Sequence, residues 1–407
     1  MESRLKSSPT VKAEANSTRD DALGARTVSS LSEVNAGEWN ACAGTDNPFL
    51  THAFLHALEE SGSCRAETGW LPQHVLLEGK GSALVGAMPM YVKGHSQGEY
   101  VFDHNWAHAY ENAGGRYYPK LQVSVPFTPA TGPRLLVPPG PGKERNQRLL
   151  IQAATQIADK LGVSSLHVTF PTESEWKLMG GTGLLQRTGE QFHWENAGYE
   201  NFNEFLENLT SRKRKSIRKE RARAIAEGVK IETLTGTDLK EEHWDAFFAF
   251  YTDTGNRKWG IPYLTRTFFD LIHHTMRDKI ALVMCQRNGR YIAGALNFIG
   301  ADTLFGRHWG CIEEHDCLHF EACYYRAIDF AIERGLQHVE AGAQGAHKVH
   351  RGYLPRLTYS AHWIRDENFR RAVETYLTQE RDEIESHVDA IEFNYSPFRQ
   401  TDAIDVK

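Results

Sequence analysis

The stretch IALVMCQRNGRYIAGALNFIG, residues 280–300, predicts a β-hairpin. Two apolar runs flank the dipeptide Asn288-Gly289, a strong signal for a two-residue turn between antiparallel strands. Residues 303–310, TLFGRHWG, predict a third strand. The apolar residues of 318–335 keep helical spacing up to a closing glycine, and the strand LQHVEAGA follows. Antiparallel strands, a helix and a returning strand are typical of an α+β module.

The first half of the chain repeats this order of elements. Residues 74–92 predict two strands around a Gly-Lys-Gly turn, 99–105 a third strand, 148–162 a helix and 163–170 a returning strand. VGAMPMYV resembles AGALNFIG, and LGVSSLHVTF resembles RGLQHVEAGA. The repeat predicts two tandem copies of an α+β module, with mixed, mostly antiparallel sheets flanked by helices.

The two copies of the repeat differ in length, and their positions predict the domain boundaries. Gly294 follows Gly86 by 208 residues, whereas Gly335 follows Gly162 by 173 residues, so the first copy contains an insertion of about 35 residues. The predicted segments are a disordered tail at 1–27, a first domain at 28–200 with an insertion at 106–147, a basic connecting helix at 201–230, a second domain at 231–365, and a C-terminal helix and tail at 366–407.

Composition and charge narrow the class of protein. A chain of 407 residues is too long for one compact core, which agrees with two domains. A net charge of −6 argues against a generally nucleic-acid-binding surface. We expect no membrane span, because no stretch has an uninterrupted apolar length of that kind, and no signal or transit peptide. The six cysteines form no Cys-x-x-Cys pair, which favours a reducing, cytoplasmic location.

Several runs resemble the FemAB-like predicted N-acyltransferases of the GNAT superfamily, a bacterial family described as peptidoglycan biosynthesis/recognition proteins. The runs that carry the resemblance are YYPKLQVSVPFTP (117–129), SRKRKSIRKER (211–221), KWGIPYLTRTFF (258–269), GRHWG (306–310), LHFEACYY (318–325) and GAQGAHKVHRGYLP (342–355). The resemblance implies tandem GNAT-like domains of the Fem type and an acyltransferase activity. The family has Glu where this chain has Ala346, and the loss of a carboxylate that helped catalysis would weaken or alter the activity.

Amide formation from an activated acyl donor needs an amine that loses a proton and an oxyanion that is stabilised. Glu321 stands beside His319 at the start of the second-copy helix, which the GNAT fold places against its cleft; an acid there also favours the helix dipole. Asp103 ends a predicted strand, where a simple turn is the alternative. The candidates for proton transfer are Glu321, His319, Asp103 and His347. We expect no metal, because no third ligand accompanies His104 and His108.

Residues 340–356, EAGAQGAHKVHRGYLPR, place small and cationic residues directly after an apolar strand. Small residues let a ligand approach the backbone, so Lys348 and Arg351 are candidates to bind a phosphate or carboxylate; a solvated turn is the alternative. The first-copy insertion and the run KWGIPY supply further substrate-binding candidates, with ordinary packing as their alternative. These candidates are Tyr117, Tyr118, Lys120, Arg134, Trp259 and Tyr263.

The run SRKRKSIRKERAR, residues 211–223, predicts one helix with cationic residues around its circumference. A solvated surface helix is one interpretation. The other is contact with a phosphate-rich partner, such as the acceptor end of a tRNA or a lipid-linked pyrophosphate. A similar basic helix opens the second half of Fem-type ligases. The candidate contacts are Arg212, Lys213, Arg214, Lys215, Arg218 and Lys219.

Three functions remain open. The favoured one is an N-acyltransferase or aminoacyltransferase that takes an aminoacyl-tRNA or another acyl carrier as co-substrate, an amine as acceptor, and no bound cofactor. A CoA-dependent N-acetyltransferase is the second; acidic residues oppose a pyrophosphate site at 313–316, and the glycine-containing run 138–148 is a doubtful one. The third is a non-catalytic binder of a cell-wall precursor or RNA on a degenerate transferase fold. The sequence does not determine the oligomeric state.

Overall fold

The structure, a computed structural model, describes residues 23–258, 262–342 and 345–399, together with the backbone of Val11–Lys12. The strands are β1 (Val11–Lys12), β2 (Gly24–Val28), β3 (Trp70–Pro72), β4 (His74–Glu78), β5 (Leu84–Met88), β6 (Met90–Lys93), β7 (Lys120–Val123), β8 (Ser165–Thr169), β9 (Leu185–Glu195), β10 (Lys230–Thr235), β11 (Ile280–Arg287), β12 (Arg290–Ile299), β13 (Thr303–Cys311), β14 (His338–Glu340) and β15 (Leu354–Ile364).

The α-helices are α1 (Ala36–Ala43), α2 (His52–Glu60), α3 (His104–Asn112), α4 (Lys143–Leu161), α5 (Glu173–Gly180), α6 (Phe202–Asn208), α7 (Ser211–Ala224), α8 (Glu241–Lys258), α9 (Arg266–Met276), α10 (Leu318–Phe320), α11 (Arg326–Glu333) and α12 (Glu367–Tyr395). A π-helical turn, Glu321–Tyr325, joins α10 to α11. Short 3-10 helices lie at Leu31–Glu33, Pro48–Leu50, Ala66–Thr68, Lys80–Ser82, Gly236–Asp238, Arg277–Lys279 and Ala346–Arg351.

The chain forms two compact units, and each unit is assembled from three separate stretches of sequence. Unit 1 comprises residues 1–189, 263–276 and 358–384; unit 2 comprises residues 190–262, 277–357 and 385–407. The units therefore differ from the contiguous domains expected at 28–200 and 231–365.

Unit 1 contains two groups of strands. One has the order β1-β2-β4-β5 and is antiparallel throughout. The other has the order β3-β6-β7-β8-β15, in which only β7 and β8 are parallel. Helix α4 packs on this unit because its apolar residues recur at helical spacing and form one buried face: Leu150, Ile151, Ala154, Ile157 and Ala158. Gly162 ends α4 in the left-handed conformation, with φ of 69°.

Unit 2 contains strands in the order β10-β11-β12-β13-β14-β9, and only β13 and β14 are parallel. The predicted hairpin is confirmed. Strands β11 and β12 pair antiparallel, and both Asn288 and Gly289 have positive φ, 52° and 76°, as the tight hairpin turn requires. The third strand, β13, also occurs where the sequence predicts it.

The α+β fold class is confirmed, because both units contain a strand, a helical segment and a parallel returning strand. These are β7, α4 and β8 in unit 1, and β13, α10–α11 and β14 in unit 2. Each returning strand pairs on its other side with a strand from the other half of the sequence. Residues Ser360–Ile364 of β15 pair with β8 in unit 1, and His193–Glu195 of β9 pair with β14 in unit 2.

Two predictions about the first half are wrong. Residues 99–105 form no strand; Asp103 precedes helix α3, and β7 occupies the third-strand position because it pairs parallel with β8. The extra residues of the first copy therefore lie before β7 as well as after it. The expected tail at 1–27 is also too long, because β2 begins at Gly24 and pairs with β4; residues 1–10 and 13–22 lie outside the described part.

Segment 124–136 lies against the end of β8, where Arg134 binds the backbone. Its guanidinium donates from Nε to the Thr169 carbonyl at 2.9 Å and from Nη2 to the Ala130 carbonyl at 2.8 Å. Its own backbone N–H donates to the buried Glu175 carboxylate at 2.8 Å. Because Arg134 is 0% exposed, these contacts indicate a structural role and do not favour the expected substrate contact.

We predict that Arg134→Met destabilises the protein by about 3 kcal/mol, because buried carbonyl groups lose their donor and each costs roughly 1–3 kcal/mol. Urea denaturation followed by circular dichroism measures the loss. The matched control is Arg145→Met, an exposed arginine of α4, which should change stability by less than about 0.5 kcal/mol. Equal denaturation midpoints for Arg134→Met and wild type would show that the guanidinium is dispensable.

Candidate functional site

The candidate site of unit 2 begins where strands β13 and β14 separate. These parallel strands pair only through Thr303–Phe305 and His338–Glu340. In the pairing of β13 with β12, Leu296 opposes His308 and Asn297 opposes Gly306, so Arg307 is the extra residue of a β-bulge. A bulge bends its strand, and here β13 continues to Cys311 after β14 has ended. Beyond Phe305 and Glu340 the two strands are therefore no longer paired with each other.

A pocket of about 150 Å³ occupies this space. It is lined by Ala295, Leu296, Asn297, Gly306, Arg307, His308, Trp309, His319, Cys323, Tyr324, Ala341 and Gly342. A side chain at Gly306 would be tightly placed, because its Cβ would lie 3.3 Å from the Glu340 carbonyl oxygen and 3.6 Å from the Ala341 Cα. Glycine thus permits the close strand approach just before the pocket opens.

Helix residues 318–325 form the second wall. The π-helical turn Glu321–Tyr325 interrupts the regular helix, and turns of this kind are frequent at functional sites. His319, Cys323 and Tyr324 line the pocket from this segment. The sequence predicted the helix at 318–335, but its periodicity contained no indication of the π turn.

Three histidines lie in or beside this pocket. Burial and then the neighbouring Arg307 charge lower the pKa of His308 well below its usual range, so its imidazole is neutral. The His319 ring lies edge-on to Trp309, with centroids 5.3 Å apart. His347 Nε2 and the Tyr324 hydroxyl are hydrogen-bonded at 3.0 Å, and burial followed by nearby cations lowers the pKa of His347. His319 and His347 are therefore placed for proton transfer at the pocket, which stays a prediction for both.

Glu321 is held in an ion network and is only 2% exposed. Arg221 donates to both of its oxygens, at 3.1 and 3.0 Å, and Arg326 Nε donates to Oε1 at 2.9 Å. Arg221 also pairs with Asp329, at 2.6 Å. Both Glu321 oxygens are occupied by guanidinium donors of this chain, so these contacts do not favour the predicted catalytic role of Glu321.

Lys348 and Arg351 were predicted to bind an anion, but both make bonds within unit 2. The Lys348 ammonium, 2% exposed, donates to the carbonyl oxygens of Ala341 at 2.7 Å and Gly342 at 2.8 Å. Burial lowers the pKa of Lys348 to about 8. Arg351 donates to the Glu220 carboxylate at 3.0 and 3.1 Å. Neither cation lines the pocket, and direct contact with a substrate stays a prediction for both.

The candidates of the first half form a buried network in unit 1. Lys120, 0% exposed, donates to Glu99 at 2.7 Å and contacts Asp103, which also accepts from the Tyr117 hydroxyl at 2.7 Å. Burial alone would raise the pKa of Asp103, but Lys120 and then His167 lower it below its usual range. Because these side chains are sealed from solvent, the geometry does not favour Asp103 as a catalyst or Tyr117 and Lys120 as substrate contacts.

The remaining aromatic candidates also lie in the first unit or outside the description. Tyr118 is half-buried, and its hydroxyl is hydrogen-bonded to Ser96 at 2.8 Å. Tyr263 stacks on Phe127 with ring centroids 4.7 Å apart. Trp259 lies outside the described residues, as does the side chain of Ala346. Neither Tyr118 nor Tyr263 is among the residues that line the pocket of unit 2.

Helix α7 confirms the predicted basic helix, although it ends at Ala224. Ile217 and Ala224 are buried, and the exposed positions include Arg212, Lys215, Arg218 and Lys219. Among the described residues, none of these four cations forms an ion pair. Arg214 is half-buried, and Lys213 lies 2.7 Å from His350 Nδ1. A row of unpaired cations is suited to contact with a polyanion, which stays a prediction for all six basic residues.

The profile of a family described as peptidoglycan biosynthesis/recognition matches residues 30–400. The chain belongs to the FemAB-like family. The FemAB-like chain superposes on the crystal structure of FemX with a TM-score of 0.53 and 11% identity, over 84% of this chain and 98% of FemX. No curated protein matches the sequence.

A second structural match is the C-terminal DUF2156 domain of a protein from Agrobacterium fabrum that is named a lysylphosphatidylglycerol synthetase. Its TM-score is 0.52 and its identity 10%, over 91% of this chain and 99% of the other. At these identities the two matches establish the fold. They confirm for the FemAB-like chain the tandem Fem-type architecture that the repeat predicts.

Sequence reasoning missed several residues of the FemAB-like pocket. Arg307, His308 and Trp309 lie in a predicted strand. The isolated glycine before them, Gly306, is a recognised indication of a bulge. Tyr324 and Cys323 looked like ordinary apolar helix positions, because their contact with the pocket depends on the π turn.

No group of three or more His, Cys, Asp or Glu side chains among the described residues is arranged to hold a metal ion. Among the same residues, no helix combines the length and apolar character needed to cross a bilayer.

His167 connects the buried network of unit 1 to a second histidine. Its Nδ1 lies 2.7 Å from Nδ1 of His362, and its Nε2 lies 2.8 Å from Ser165 Oγ. Burial, followed by the Lys120 charge, lowers the pKa of His167 to about 3. The folded state therefore keeps this ring neutral under conditions in which an exposed histidine is protonated.

We predict that His167 makes the protein acid-sensitive. Between pH 6.5 and 3 the unfolded state binds a proton that the folded state excludes, so stability falls as the pH falls through this window. Between pH 7.5 and 5, wild type should lose about 2 kcal/mol more than His167→Gln, as measured by urea denaturation. The exposed His108→Gln serves as control and should keep the wild-type difference. Parallel pH dependences for wild type and His167→Gln would contradict the assignment.

Proposed function

We propose that the FemAB-like chain is an N-acyltransferase or aminoacyltransferase that forms an amide between an activated acyl donor and an amine. The proposal is carried by the pocket between the separated strands β13 and β14. Its volume of about 150 Å³ suits a small acyl group, and in this proposal backbone N–H groups of the diverging strands serve as donors to that group. Fixed backbone donors in a desolvated site stabilise the oxyanion that forms when an amine attacks an acyl carbon.

His319 and His347 supply the proton-accepting function in this proposal. His319 lines the pocket, and His347 reaches it through the Tyr324 hydroxyl. An amine nucleophile must be unprotonated when it attacks, and a neutral imidazole within reach accepts its proton. Glu321 and Asp103 are not given this role, because the former is bound by two arginines and the latter is buried in unit 1.

A polyanionic acyl carrier is the donor that the surface of unit 2 favours. Four exposed cations of α7 have no ion-pair partner among the described residues, and a tRNA or a lipid-linked phosphate would neutralise them: Arg212, Lys215, Arg218 and Lys219. FemX and a protein named a lysylphosphatidylglycerol synthetase share the fold. The family description supports an amine of a peptidoglycan precursor as acceptor.

The test is to incubate the purified protein with charged tRNAs or acyl-CoAs and an amine-bearing cell-wall peptide, and to detect amide products by mass spectrometry. Transfer from charged tRNA supports the proposal. Transfer only from acyl-CoA would assign the second function, a CoA-dependent N-acetyltransferase. Binding of the precursor or of RNA without turnover by any donor would refute catalysis and assign a binding protein on a degenerate transferase fold.

We predict that Ala341→Leu lowers the transfer rate at least a hundredfold, because the added side chain fills the pocket that Ala341 lines. Rates are measured by product mass spectrometry, and folding is checked by circular dichroism. The control is Ala372→Leu on the exposed side of α12, which should retain wild-type turnover. Full activity of Ala341→Leu would place the acyl group elsewhere.

We predict that the double variant Arg218→Gln/Lys219→Gln weakens RNA binding mainly at low salt. Removing two phosphate contacts should reduce the slope of log K against log salt by roughly 1.4–1.8. Fluorescence anisotropy with labelled tRNA at several salt concentrations measures the slope. Lys230→Gln/Arg290→Gln, which removes two exposed cations from strands of the same unit, provides the charge-matched control. The α7 assignment fails if both double variants change the slope equally.

A further inference from the structure

Glu220 is the only acid within the cationic run of helix α7, and its carboxylate points to the turn Ala346–Arg351. Arg351 donates to Glu220 Oε2 from Nε at 3.1 Å and from Nη2 at 3.0 Å. The Tyr325 hydroxyl donates to the same oxygen. The Arg351 side chain is only 8% exposed and that of Glu220 20%, so this charge-assisted contact is largely shielded from water.

Arg351 also forms contacts within the turn and with the helix beside it. Its Nη1 donates to the His347 carbonyl at 2.8 Å, and its guanidinium carbon lies 3.5 Å from the centre of the Phe320 ring. One arginine therefore joins α7, the turn and the helix that forms one wall of the pocket. Its planar group suits this position, because it donates in several directions and stacks on an aromatic face at the same time.

Lys348, which belongs to the turn, binds two residues that line the pocket. Its ammonium is bound by the carbonyl oxygens of Ala341 and Gly342, and both of these residues line the pocket. No carboxylate within the described ranges forms an ion pair with Lys348. Buried and bound only through backbone carbonyls, this ammonium depends on the position of the turn that carries it.

We propose that Glu220 is a positioning residue for the acyl pocket. Through Arg351 it fixes the turn 346–351, so that Lys348 holds the Ala341 and Gly342 carbonyls and His347 stays against Tyr324. The proposal rests on the proposed function for its effect on transfer, but not for its effect on structure. It explains the presence of one acidic residue in α7, in which every charged residue from Arg212 to Lys219 is cationic.

The structural test is amide hydrogen exchange of the whole protein, which needs no substrate. The amides of Lys348, Gly352 and Tyr353 donate to carbonyls of Gly345, Val349 and Lys348, respectively. Glu220→Gln should accelerate exchange of these three amides at least tenfold and leave β11 and β12 unchanged. The control Glu207→Gln, an exposed acid of α6, should exchange like wild type. Unchanged exchange in Glu220→Gln would overturn the proposal.

A double-variant cycle tests whether Glu220 acts through Arg351. Glu220→Gln, Arg351→Gln and the double variant should show the same acceleration, whereas independent roles would give additive effects and contradict the proposal. Arg351→Lys, which keeps the charge but cannot bridge Glu220 and the His347 carbonyl in the same way, provides a milder variant if Arg351→Gln does not fold. It too should accelerate exchange.

Transfer assays then separate positioning from general damage. Once a donor has been identified, Glu220→Gln should raise KM for that donor at least fivefold, with an unchanged KM for the amine and an unchanged melting temperature. An equal loss for both substrates would indicate a merely structural role. If no donor supports transfer, the proposed function fails, while the exchange experiment still decides whether Glu220 positions the turn.

Discussion

Parallel pairing of β13 with β14 ends after three residue pairs, and the candidate site of unit 2 depends on this early separation. The bulge at Arg307 bends β13, Gly306 allows the last close approach, and β14 stops at Glu340. Backbone hydrogen-bonding groups are costly to leave without partners in a protein interior. Diverging strands therefore need other partners for their backbone groups, and Lys348 is such a partner for the Ala341 and Gly342 carbonyls.

Ion pairs behind the pocket keep the diverging strands in place. Lys348 binds the carbonyls at the end of β14, Arg351 binds the turn that carries Lys348, and Glu220 binds Arg351. On the other side, Arg221 and Arg326 bind Glu321 inside the π turn. These charges are shielded from solvent. In such surroundings their mutual attraction is stronger than at a surface, but each charge must have a partner. Glu321, Lys348 and Arg351, which the sequence predicts as site residues, thus make their contacts to other groups of unit 2.

The corresponding place in unit 1 is occupied by the chain itself. Strands β7 and β8 also pair over three residues, but segment 124–136 follows β7 and inserts Arg134 against the Thr169 carbonyl. The backbone at the end of β8 is thus bound by an arginine of the same unit. The same order of strand, helix and returning strand therefore borders a pocket in unit 2, whereas Arg134 lies at the corresponding place in unit 1.

The sequence by itself determined the local elements and the tandem α+β plan. The Asn288-Gly289 turn, the helix at 318–335 and the basic helix from Ser211 depend on backbone preferences and apolar spacing within about twenty residues, which are legible without tertiary contacts. Only the tertiary structure decided which charged residues pair with one another. Glu220 meets Arg351 across 131 residues, and Arg221 meets Glu321 across 100. Side-chain charge reveals that a partner is needed, but the identity of that partner is fixed only when distant strands and helices pack together.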